Sequence, residues 1–234
     1  MIKVVVLAGE GEYESDATMQ PVAAAIGSRL DAEVMYRSPN VLEDWPSFPA
    51  SSFGSLQQLD GADLLVLYTR FRILPDSELE DLANFLDGGG NLLALRTSTH
   101  AFRERPESLW SKWTAGFAEK FIGTQWTTHH GHTSTTDVTC VARHPITDGV
   151  PASFHVDSWL YVSAPPPDAE VLLWGEPVHP EIDPEPSPVA WARTLGTQRI
   201  FYTSLGSQPD LQNPAVLRLL ENAAAWCVAG RQTP

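Results

Sequence analysis

Two periodicities share this chain. Apolar, β-branched runs stand at residues 2–8, 32–36, 63–68 and 92–95, and a run such as Leu92 to Leu95, with no polar alternation, is what a strand covered on both faces of a parallel sheet requires. Between them apolar residues recur at helical spacing: over 18–30, and after Pro75 at Leu79, Leu82, Ala83 and Leu86. Pro75 suits a helix start, and Gly88, Gly89 and Gly90 suit its end. Strands alternating with helices predict an α/β fold with a right-handed, mostly parallel central sheet. The Pro- and Ser-rich segment 38–55 reads as a long surface excursion.

The second half keeps the alternation less strictly. A helix is predicted over 107–121, with Trp110, Trp113, Phe117 and Phe121 as its core-facing stripe, and strands over 137–142, 170–174, 188–193 and 199–204. The pair 170–174 and 188–193 flanks a proline-rich crossing or lid at 176–186. Residues 154–162 form an aromatic, partly extended piece, and a closing helix spans 214–228. There is no internal repeat.

Chain length changes little in this picture: 234 residues fit one α/β domain, 1–234. The charge of −14 changes more, since it repels phosphate backbones and anionic lipid surfaces. Neither nucleic acid nor a membrane is expected as a partner, and no apolar run approaches the ~20 residues of a membrane span. Residues 4–8 are too short for a signal peptide's apolar stretch, so the cytoplasm is the expected location. Cys140 and Cys227 are isolated and form no C-x-x-C motif.

Candidate chemistry gathers where the apolar runs stop. In open α/β sheets ligands sit beyond the carboxyl ends of the strands, which points to Arg96, Thr97 and His100 after the 92–95 strand. Arg96 there suits a carboxylate or phosphate, or an acid of the chain such as Asp157. Ser98 is a hydroxyl without the G-x-S-x-G context of a nucleophile. Gly9 and Gly11 resemble a dinucleotide loop, but Glu14 replaces the third glycine and the loop is acidic, so turn-shaping is the better account. A nucleotide- or flavin-binding role is the lowest-ranked reading.

The aperiodic stretch Gly123 to His132 holds His129, His130 and His132 with Gln125 and Trp126. Histidine moves protons near neutral pH and binds divalent transition metals. On an extended strand His130 and His132 would point the same way and hold a metal with His100 or Asp157 added. A metal-free polar pocket and a structural hydrogen-bonded cluster are the alternatives. Trp126, Trp159 and Trp191 are candidate sugar platforms, with Trp126 foremost because it lies outside any helix.

The chain resembles the ThuA-like (trehalose utilisation) family of the class I glutamine amidotransferase-like superfamily. The resemblance rests on Leu93-Ala94-Leu95-Arg96-Thr97-Ser98-Thr99-His100-Ala101-Phe102, on Phe121-Ile122-Gly123 leading into His129-His130-Gly131-His132, on His144-Pro145-Ile146-Thr147-Asp148-Gly149, on Pro188-Val189-Ala190-Trp191, and on Arg199-Ile200-Phe201-Tyr202-Thr203-Ser204-Leu205-Gly206. It implies a flavodoxin-like three-layer α/β/α sandwich and a role in carbohydrate metabolism. Amidotransferase relatives carry a cysteine nucleophile at the turn that here reads Arg96-Thr97-Ser98, so glutaminase activity is not expected. Ser207 stands where such proteins often have histidine.

The expectation is a sugar-modifying enzyme: His100, His129, His130 and Asp157 catalytic; Arg96, Thr97, Gln125, Trp126 and His132 binding substrate; His130 and His132 candidate ligands of a divalent transition metal. A non-catalytic sugar- or partner-binding module is the alternative. The expected partner is a small sugar or sugar derivative, with a homo-oligomer left open.

Overall fold

The computed structural model of the protein describes residues 1–40, 50–179 and 185–230. Part of the predicted excursion, 41–49, and the middle of the proline-rich crossing, 180–184, lie outside them. Nine strands, β1 (Ile2–Gly9), β2 (Ala32–Arg37), β3 (Leu64–Thr69), β4 (Asn91–Leu95), β5 (Thr135–Cys140), β6 (Ser153–Val156), β7 (Glu170–Val178), β8 (Ser187–Leu195) and β9 (Gln198–Thr203), form one sheet in the order β2-β1-β3-β4-β9-β8-β7-β5-β6.

The first five strands in that order are parallel and the pairings from β9 through β6 are antiparallel. The sheet is therefore mixed, which corrects the expectation of a mostly parallel one. The cause is short connection: β8 and β9 are joined by Gly196-Thr197 alone, with Gly196 at φ +63°, whereas a parallel pair needs a crossover of a dozen residues. Among the described residues no α-helix separates β5, β6, β7, β8 and β9, so antiparallel return is the short route for the second half.

Helices α1 (Ser15–Leu30), α2 (Asp76–Asp87), α3 (Ser111–Phe117) and α4 (Pro214–Ala229) cover both faces. Strand alternation sorts the core into two layers. Val4, Val6, Ala8, Leu64, Val66, Leu93 and Leu95 pack with Met19, Val22, Ile26 and the α4 residues Val216, Leu219, Leu220 and Ala223. Val5, Leu7, Leu65, Leu67, Leu92 and Ala94 pack with Leu79, Leu82, Leu86, Phe117 and Phe121. The predicted helix over 107–121 starts later, at Ser111, and ends in a π turn, Ala118–Ile122. Asp76 takes hydrogen bonds from Ser108 Oγ and Arg105 Nη2, which holds the preceding segment as a turn.

The carboxyl ends of the strands are stitched together by side chains. Buried Asp210 accepts from the N–H groups of Asp157, Ser158 and Gly206 and from the Ser158 hydroxyl. It ties the segment after β6 to the turn after β9. Loss of a carboxylate with this many buried donors leaves each donor costing about 1–3 kcal/mol. Asp210→Ala should lower unfolding free energy by at least about 3 kcal/mol in urea titrations, with Asp210→Asn intermediate; a loss below about 1 kcal/mol would contradict the assignment.

Candidate functional site

The site begins with the first strand's exit. Beyond β1 the Glu10 carboxylate turns inward and accepts the backbone N–H groups of Glu12 and Tyr13, each at 2.7 Å, with Arg70 Nη1 at 3.6 Å. An acid of the chain occupies these donors, which is why the glycine-bearing loop shapes a turn and offers no cradle to a pyrophosphate. Burial, outweighing those hydrogen bonds and Arg70, pushes the Glu10 carboxyl up to about 7. The loop presents Tyr13 to the turn after β4.

In that turn Arg96 is fully buried at φ +39°. Its Nη1 donates to Ser204 O at 2.7 Å and, more weakly, to Trp159 O at 3.4 Å. The guanidinium lies 4.8 Å from the Tyr13 ring, 4.8 Å from Trp159 and 4.5 Å from Tyr161. Its Nε and Nη2 have no well-aligned acceptor, though the Tyr13 hydroxyl lies alongside. No carboxylate pairs with Arg96 among the described residues; Asp157 is exposed, and its carboxylate makes no ion pair or hydrogen bond among them. The expected Arg96–Asp157 pair is therefore absent. Thr97 is buried beside it, and the buried Ser98 hydroxyl donates to Leu67 O at 2.8 Å, a structural bond that removes it as a nucleophile.

The histidine-rich stretch is a loop that pairs with 159–162. His129 bridges Tyr161, His130 N–H donates to Leu160 O, and Val162 N–H donates to Thr128 O. Backbone alternation sends neighbouring side chains opposite ways. His129 faces Trp126, Trp159 and Tyr161, while His130 is 3% exposed with neither ring nitrogen bonded among the described residues. Gly131, at φ +91°, turns the chain so that His132 meets His129 edge to face at 4.6 Å between ring centres. The predicted shared direction of His130 and His132 thus fails because the strand bends at Gly131; the facing pair is His129 and His132. Among the described residues no three His, Cys, Asp or Glu side chains gather as metal ligands, and we route no chemistry through a metal.

His100, at the end of the turn after β4, lies 5.3 Å from Trp126, 4.9 Å from Phe71 and 6.4 Å from Tyr161 between ring centres. It lines a cleft of about 510 Å³ with Phe71, Thr99, Arg103, Gln125 and Trp126. Burial, then the charges of Arg70 and Arg96, push its imidazole down to about 3. Arg96, His100, His129 and His132 therefore converge through Tyr161 and Trp159, but not in one hollow: of the four, His100 lines the cleft, Arg96 is buried, and His129 and His132 face each other outside its lining. Trp191 is core, its Nε1 donating to Ile122 O, and is no sugar platform. Sequence reading passed over Tyr13 and Glu10; their signal was position, in the first loop after a strand's carboxyl end.

The sequence matches the family model ThuA, trehalose utilisation, over residues 3–227. The chain belongs to the ThuA family. Among solved structures, a ThuA-like protein from Parabacteroides merdae ATCC 43184 is similar with a TM-score of 0.69 and 16% identity, over 98% of this chain and 90% of its own. One from Bacteroides uniformis ATCC 8492 gives 0.66 and 17%, over 97% and 91%. A glutamine amidotransferase from Thermotoga maritima gives 0.52 and 10%, over 97% and 98%. These likenesses establish fold. No curated protein matches by sequence. In this ThuA chain no helix among the described residues is long and apolar enough to cross a membrane.

Buried Glu10 and half-buried His100 give stability opposite pH slopes. Glu10 releases its proton near 4.5 unfolded and near 7 folded, so its contribution is lost as pH rises across that window. His100 takes up a proton near 6.5 unfolded and near 3 folded, so its contribution is lost as pH falls. Thermal melts of Glu10→Gln between pH 4.5 and 7 should therefore rise with pH more steeply than those of the wild type; parallel curves would contradict the Glu10 assignment.

Proposed function

We propose that this ThuA protein acts on a small, uncharged sugar or glycoside lying across Trp126. The observation that carries this reading is the row of rings at the carboxyl ends of the strands, His100–Trp126–His129–His132, beside the cleft. A substrate across Trp126, 37% exposed, meets His100 and Gln125 on one side and the His129–His132 pair on the other. The volume falls within the ~300–1,000 Å³ of small-ligand sites. Support for a carbohydrate comes from the family's description, trehalose utilisation, and from the cleft's mix of aromatic face and hydrogen-bonding groups.

His129 and His132 move the protons in this reading. His129 Nδ1 accepts the Gly131 N–H at 3.2 Å, which orients the ring toward Trp126 and His132. No covalent thiol intermediate is involved: Arg96 stands on the turn where amidotransferases of this fold carry cysteine, and Cys227 is buried in α4. His130 and Asp157 leave the catalytic set. The charge of −14 supports a role away from nucleic acid and anionic membranes, and we place the protein in the cytoplasm. A sugar-binding module without turnover is the second reading, favoured by the loss of the nucleophile.

Tryptophan fluorescence titration with trehalose and related glucosides, with product analysis, tests both. Trp126→Ala should weaken binding by about tenfold, the effect of ~1.4 kcal/mol. His129→Ala should lower turnover by about 10²–10⁴ with smaller change in affinity. Unaltered turnover in His129→Ala excludes the enzyme reading, and no response to any sugar excludes both.

A further inference from the structure

We propose that His100 is an uncharged reader of one substrate oxygen, locked by Thr99 and a cage of aromatic rings, and carries no proton in the reaction. This deepens the reading of the cleft as a sugar site and rests on it. His100 is usually the first histidine one would assign to acid–base work, since it ends the turn after β4 and faces the cleft. Its surroundings argue otherwise.

Three aromatic side chains from three segments enclose the ring: Phe71 after β3, Trp126 from the histidine loop and Tyr161 after β6. The backbone is pinned as well, the Phe71 N–H donating to His100 O at 2.8 Å. Its Nδ1 lies 3.2 Å from Thr99 Oγ1, which is itself within reach of Arg96 O at 3.3 Å. One nitrogen is thus committed to the protein, and Nε2 alone remains for a ligand.

The charges facing the ring oppose protonation. Arg96 approaches from beneath without a carboxylate among the described residues, and Arg70 from the β3 turn, partly matched by Glu10 and Glu12. Across the cleft stand Arg103 and Glu104. Tyr161 is a phenol kept protonated by burial. A third positive charge in this enclosure would be added to those of Arg96 and Arg70, with Glu10 and Glu12 already set against Arg70, so the imidazole stays neutral and binds by hydrogen bonding alone. A neutral imidazole hydrogen-bonds a hydroxyl or keto oxygen, and gives a carboxylate or phosphate no charge to pair with. The ligand class this assigns is a neutral polyol or its keto derivative, not a sugar acid or sugar phosphate.

The decisive experiment follows histidine side-chain resonances of ¹⁵N-labelled protein from pH 5 to 8, with His100→Gln as the assignment control. The His100 signals should stay fixed throughout, in apo protein, independently of whether any sugar binds; titration with a midpoint between about 5.5 and 7.5 would overturn the proposal. With trehalose as probe, His100→Ala should lose affinity by about tenfold or more, the cost of an unmet hydrogen bond, and His100→Gln by about threefold. Thr99→Val should weaken binding and Thr99→Ser restore it. A loss of turnover of 10² or more in His100→Gln at unchanged affinity would show that His100 carries a proton after all. If trehalose and its relatives fail to bind wild type, the sugar reading falls while the titration still decides the state of His100.

Discussion

A guanidinium enclosed by protein with no carboxylate beside it among the described residues is the constraint from which the rest of this site follows. An unpaired buried ion costs several kcal/mol after relaxation. Arg96 meets that cost with carbonyls and ring faces: Ser204 O, Trp159 O and the π clouds of Tyr13, Trp159 and Tyr161. Each ring interaction of a desolvated cation is worth ~2 kcal/mol. Four separate segments must close on one point for this to succeed: the loop after β1, the turn after β4, residues 159–161 and the end of β9. The backbone at Arg96 accepts a left-handed φ to get there, and Tyr202 OH donates to its carbonyl at 2.9 Å to hold it.

The chemistry above the guanidinium inherits its order. Trp159 and Tyr161, fixed from below by the cation, offer their other surfaces to His129 and His132. Tyr161 also borders His100 and Trp126. The positive charge below, with Arg70 beside it, sets the electrostatic character around His100 and disfavours its protonation. At the turn after β4 the strained position of Arg96 serves to build a floor.

The parallel half of the fold was legible because its strands are continuous apolar runs and its helices have caps and stops that local chemistry dictates, such as Pro75 and Gly88 to Gly90. The antiparallel half was visible only as strands. The two-residue link at Gly196 and Thr197 contained the information that their pairing reverses, but periodicity is blind to direction. Around the cleft, Arg96, His100, His129, Trp126 and Gln125 were singled out by their place just beyond strand ends or within an aperiodic loop. His130 and His132 were read as a pair because spacing of two assumes an unbroken strand, and the turn at Gly131 breaks it. Asp157 was offered as one acid that Arg96 could hold, but among the described residues that cation takes none. Tyr13 carries no motif; only the closing of the β1 loop by Glu10 brings it to Arg96.

Native-state hydrogen exchange of Arg96→Met tests the central claim most directly. With the cation gone and its volume retained, the amides of residues 159–162 and 204–207 should exchange about 10²-fold faster or more, while those of β1 and β3 keep their protection. Unchanged exchange in both segments, or an equal acceleration spread over the whole sheet, would contradict the account of Arg96 as the point that holds the site together.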